Sequence, residues 1–134
     1  MRVSPYTATE PELYYGPNIY DLGDGITIAP GETSGSAETQ PVTGFLDTIQ
    51  FSNAGTNPYD ISITRENGGA VVYAKTGITG GLEVRPRALL QKAADGSDLT
   101  VYDKIWLIDE KLTVAIANAD AGDVITCGIF TTAT

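Results

Sequence analysis

The chain has 134 residues and a formal net charge of -9, from 17 acidic against 8 basic side chains, with no histidine and one cysteine. That inventory excludes an internal disulfide, a Ser-His-Asp or Cys-His catalytic pair, and a zinc cage built from several Cys and His ligands. A pI near 4.2 lacks the basic footprint that nucleic-acid and anionic-membrane binders use, so neither is an expected partner.

Hydrophobic residues make up 42% and charged residues 19%, and 15 Gly with 7 Pro suit a turn-rich β protein better than a helical or disordered one. The length predicts one domain with a sizeable core. The N-terminus, MRVSPYTATEPELYY, has no apolar leader region, and no window reaches the roughly 18 to 20 apolar residues of a membrane span. The expectation is a soluble protein made in a cytoplasm.

Composition changes near Val42. Five prolines (Pro5, Pro11, Pro17, Pro30, Pro41) and the tyrosines Tyr6, Tyr14, Tyr15 and Tyr20 precede it, with six acids against the single base Arg2. Frequent proline disfavours helix and interior strand, so residues 1–43 read as an extended N-terminal arm and 44–134 as the folded body. Within the arm, GITIA (Gly25 to Ala29) alternates as a half-buried strand would, and PGETSGSAETQP (Pro30 to Pro41) reads as a loop or flexible connector.

In the body the apolar period is two. Phe45, Ile49 and Phe51 are expected to share one face, and Tyr59, Ile61 and Ile63 another, with a turn over SNAGTNP (Ser52 to Pro58). RENGGA (Arg65 to Ala70) predicts a tight hairpin into Val71, Val72 and Tyr73. VRPRALLQKAA (Val84 to Ala94) scores as helix by intrinsic propensity, yet the extended reading is favoured for Arg87 to Gln91, because Pro86 disfavours helix before it and DGSD (Asp95 to Asp98) closes the run. Trp106, Leu107 and Ile108 stand together, as in a strand covered on both sides or crossing between sheets. Leu112, Val114 and Ile116, then Ile125, Cys127 and Ile129 after the turn NADAGD (Asn118 to Asp123), predict a second hairpin. Eight or nine short strands amount to an all-β, antiparallel β-sandwich or jelly roll.

Few residues suggest chemistry. The acid clusters Asp21 with Asp24, Asp95 with Asp98, Asp109 with Glu110 and Asp120 with Asp123 match no EF-hand spacing, and Asp and Gly are what turns require. Cys127 reads as core filler, and Trp106 as a core or interface anchor in preference to a sugar platform. Arg85 and Arg87 flank Pro86 on one predicted face and are either a solvated pair or partners for acids of a neighbouring subunit. The tyrosine-bearing arm suits draping over another protein. No metal or cofactor is expected.

GFLDTIQF, ENGGAVVY, VRPRALLQ and DGSDLTVYDKIWLIDEKLTVAIANADAGDVITCGIF together resemble the small jelly-roll cement, or decoration, proteins of tailed bacteriophage heads. The similarity covers about Gly44 to Ala133 and omits the arm. It implies a non-enzymatic virion protein on the outer capsid surface, assembled in the host cytoplasm. Its implied partners are the major capsid protein and, as a homodimer or homotrimer, itself. Tyr6, Tyr14, Tyr15, Tyr20, Arg85 and Arg87 are the candidate partner-binding residues, and deleting Met1 to Pro41 is expected to leave the body folded. The competing class is a glycan-binding or host-adhesion β-sandwich module, and an enzyme comes third.

Overall fold

Side chains that alternate between dry and wet faces sort the chain into strands, and each strand's dry face decides the layer it joins. The computed structural model describes residues 18–133, and every regular element among them is a strand. In chain order these are β1 (Asn18–Asp21), β2 (Ile26–Thr27), β3 (Gly35–Glu38), β4 (Val42–Asn53), β5 (Tyr59–Arg65), β6 (Val71–Ile78), β7 (Leu82–Val84), β8 (Ala88–Gln91), β9 (Asp98–Asp103), β10 (Ile105–Glu110), β11 (Leu112–Ala117) and β12 (Val124–Thr132).

One sheet, called A here, runs β1-β12-β4-β10, with β2 added to β12 and β7 to β4; the other, sheet B, runs β3-β11-β5-β6. All pairings are antiparallel. The two sheets bury their inner faces against each other as an antiparallel β-sandwich of jelly-roll type. Leu46, Ile49, Ile125 and Ile129 from sheet A meet Ile61, Ile63, Val114 and Ile116 from sheet B in one core cluster. Each such side chain contributes roughly 1.5–3 kcal/mol by leaving water. A third, two-stranded ribbon of β8 and β9 pairs with neither sheet.

Several expectations change. The segment read as an arm up to residue 43 supplies β1, β2 and β3 to the sheets, and Ile26, Ile28 and Thr39 to the buried set. The stretch taken for a connector contains β3, because an open edge of β11 offers backbone partners that a polar segment accepts as readily as an apolar one. Removing everything to Pro41 would therefore strip strands from both sheets, and of that segment only residues 1–17 lie outside the described region.

The expected hairpin of Leu112 to Ile129 is an arch. β11 lies in sheet B and β12 in sheet A, and the link between them packs inward through Ala119, whose N–H donates to Thr33 O at 2.9 Å. The Arg65 to Ala70 reversal does connect paired strands, with Gly68 and Gly69 at positive φ and Arg65 N donating to Ala70 O.

Phe45 also departs from its expected face. Between Phe130 and Thr131 of β12, β4 carries one extra residue, Asp47, so the register slips and Leu46 takes the inward position. Phe45 instead packs against the exposed Trp106, with ring centroids 4.5 Å apart and planes tilted by 44°.

Glu110 does not belong to a turn. It is 1% exposed, and Arg65 of β5 grips it through Nη2 at 2.6 Å and Nε at 3.0 Å, while the N–H groups of Asn67 and Ile108 also donate to it. Arg65 donates as well to Trp106 O, so this clasp ties the β5–β6 turn to the edge of sheet A. Glu110→Ala would orphan several donors at once, and the expected loss is about 2–4 kcal/mol, read from denaturant unfolding.

The Arg65 hydrogen bonds hold the Glu110 carboxyl below its ordinary range against the opposing effect of burial. Because the folded value is depressed, the stabilisation is full above the unfolded carboxyl value of about 4.3 and is lost as pH falls through the folded one. Thermal melts between pH 7 and pH 3 should show a midpoint that drops below about pH 4. Glu110→Gln should start lower and fall less over that window.

Cys127 points into the core as expected, and burial pushes its thiol up to about 12. A disulfide reagent at pH 8 should leave the native thiol unmodified and titrate it fully in denaturant. Rapid native labelling would contradict its position.

Candidate functional site

With its inner face committed to the core, sheet A presents a second face to solvent. In β12 the residues alternating with the buried Ile125, Cys127 and Ile129 are Thr126, Gly128 and Phe130, and the matching outward residues of β4 are Gln50 and Ser52. Ile19 and Asp21 of β1 lie on one side of them and Glu83 of β7 on the other.

Two open depressions run across this face. One, of about 390 Å³, lies over Gly128 and is lined by Ile19, Asp21, Gly23, Gln50, Ser52 and Thr126 among others. The second, of about 150 Å³, is lined by Asp47, Thr48, Gln50, Glu83 and Phe130. Gln50 borders both, and the two adjoining depressions, together called the trough here, lie across β1, β12, β4 and β7. At about 4.8 Å between neighbouring strands, it spans roughly 14 Å.

Gly128 makes the floor. An added Cβ there would meet only Phe130 Cε1, at an ordinary 3.6 Å, and the backbone is not in the left-handed region. Gly44 of the same sheet differs: its φ is +129° and an added Cβ would come within 3.0 Å of Thr131, so both conformation and crowding require glycine. Nothing local requires glycine at position 128. A mid-strand glycine costs roughly 0.5–1 kcal/mol relative to alanine, and one that packing does not demand commonly marks the close approach of a ligand or another chain.

The polar lining is partly pre-positioned. Gln50 Nε2 donates to Glu83 Oε1 at 2.8 Å, Ser52 Oγ and Thr126 Oγ1 lie 3.3 Å apart, and Asp21 Oδ1 accepts from Gly23 N at 2.9 Å. The carboxyl of Asp47 is held below its ordinary range, first by the Thr48 hydroxyl and then by Lys104 and Arg87.

The residues singled out in the sequence are spread over several surfaces. Tyr20 is half-buried, and its hydroxyl donates to Thr43 O at 3.3 Å. Tyr6, Tyr14 and Tyr15 lie outside the described residues. Arg85 pairs with Glu83 at 3.3 Å on the surface, and Arg87 reaches Asp47 at 3.5 Å, so both meet acids of their own chain. Trp106 is 45% exposed on the edge strand β10, neither buried in the core nor covered on both sides. Asp21 and Asp95 accept from backbone two residues on, as turn residues do, and the carboxylate of Asp123 accepts from Asp120 N. Among the described residues no group of three or more His, Cys, Asp or Glu is arranged to hold a metal ion, and no helix is long and apolar enough to cross a membrane.

Sequence reasoning missed the trough. Its one visible signal was the glycine of ITCGIF, which interrupts a β-prone run without a turn residue beside it.

No family model matches the chain, and no curated protein matches its sequence. Among solved structures it is similar to a GH26-CBM35 β-(1,4)-mannanase of Podospora anserina, at 14% identity and a TM-score of 0.44, over 90% of this chain and 28% of that one. It is also similar to TmCBM61 in complex with β-1,4-galactotriose, at 17% identity and a TM-score of 0.32, over 98% of this chain and 76% of that one. The chain thus spans less than a third of the mannanase, and neither likeness decides what it binds.

Proposed function

We propose that this chain is a non-catalytic glycan-binding β-sandwich module that takes carbohydrate in the trough on the outer face of sheet A. The observation that carries this reading is the unfilled space above Gly128, a position where neither packing nor backbone conformation demands glycine. A sugar needs two kinds of contact, and both kinds of group border that space. Asp21, Gln50, Ser52, Glu83 and Thr126 offer hydrogen-bond partners for ring hydroxyls, and Phe130 and Ile19 offer apolar surface for ring C–H faces. The trough is open, so each site is expected to bind modestly, with several copies on one particle or polymer adding avidity.

Gly128→Trp would fill the floor from a position where a Cβ fits. The variant is expected to keep the wild-type circular dichroism spectrum and unfolding midpoint while losing at least about tenfold in affinity for a glycan that the full chain binds on an array. Undiminished binding by this variant, or no binding by the wild type to any array glycan, would remove the reading.

A second reading has its own observation. Val101 and Tyr102 of the ribbon and Ile108 of β10 are each more than half exposed, and Trp106 of β10 is 45% exposed. A two-stranded ribbon paired with neither sheet is marginal by itself, and exposed large apolar groups suit a protein partner. On this reading the chain is a cement protein on a phage head, bridging major capsid proteins as a dimer or trimer, with its ribbon against the shell. Co-sedimentation with tailed-phage heads tests it. Tyr102→Ala with Ile108→Asp should abolish decoration, and heads decorated equally by the variant would exclude the ribbon as the contact.

A further inference from the structure

We infer that the trough selects neutral oligosaccharides and turns away chains bearing uronate, sulfate or sialate groups, an inference that rests on the glycan reading above. The charged groups lining the two depressions are carboxylates, Asp21 at the β1 end and Asp47 and Glu83 at the β7 end, and among the described lining residues there is no lysine or arginine.

Arg85, Arg87 and Lys104, near the β7 end, each meet a carboxylate of that lining. Arg85 pairs with Glu83 at 3.3 Å, and Asp47 receives Arg87 at 3.5 Å and Lys104 at 3.4 Å. These pairings offset charge at the β7 end and leave Asp21 facing the larger depression with no cation in its lining. An ionised carboxylate only accepts hydrogen bonds. A sugar hydroxyl can donate to it, whereas a uronate or sulfate presents a second acceptor of the same charge. The chain's net charge of -9 adds a long-range term of the same sign.

The test is calorimetry on the full chain with neutral β-linked gluco- or manno-oligosaccharides and with oligogalacturonates of equal length, at two salt concentrations. Neutral ligands should bind at least about tenfold more tightly, with the gap widening as salt is lowered because screening weakens. Asp21→Asn should narrow the gap by about fivefold, the size expected for one partly solvated charge pair at close range. Uronates that bind as tightly as neutral chains, and lose that binding in Gly128→Trp, would overturn the selectivity while leaving the glycan site standing. If the chain binds no glycan on an array, neutral or charged, the glycan reading falls and this inference with it.

Discussion

The exclusion of water from one layer of aliphatic side chains organises the molecule. Ile49, Ile125 and Ile129 on one sheet and Ile61, Ile63, Val114 and Ile116 on the other are all buried, and each reaches that layer only when its strand turns a particular face inward. A strand has two faces. Committing one to the core therefore fixes which residues remain outside, and the trough over Gly128 is the complement of the Ile125, Cys127 and Ile129 surface.

Local departures from strict alternation shape that outer face. The extra residue at Asp47 lets Leu46 enter the core and sends Phe45 outward to Trp106, while Asp47 itself meets two cations at the surface. On the neighbouring edge, Asp109 adopts a positive φ of 45° where the register of β10 shifts, which allows Ile108 to face solvent and Glu110 to turn inward to Arg65. The clasp, the aromatic pair and one wall of the trough all depend on irregular residues in strands that otherwise alternate.

Two surfaces of different chemistry result. The trough is lined by short polar groups and carboxylates over a glycine floor, which suits a hydroxylated ligand met through hydrogen bonds and a small apolar contact. The ribbon and the β10 edge expose larger apolar side chains, which suits a protein surface able to exclude water over a wider area. They draw on different strands, so occupation of one does not require occupation of the other.

The sequence alone determined that the chain is all-β, that Ile61, Ile63, Val114, Ile116, Ile125, Cys127 and Ile129 face inward, and that Asn67 to Gly69 reverse the chain, because these follow from periodicity and turn chemistry within a few residues. Tertiary structure decided everything that depended on which strands meet. Gly35–Glu38 is a strand only because β11 offers it an edge, the Leu112 to Ile129 pair is an arch because its two halves belong to different sheets, and Glu110 is buried because Arg65, 45 residues earlier, reaches it. The trough belongs to the same class. Its walls come from β1, β12, β4 and β7, distant along the chain, and no local pattern encodes the side-by-side placement that leaves a space above Gly128.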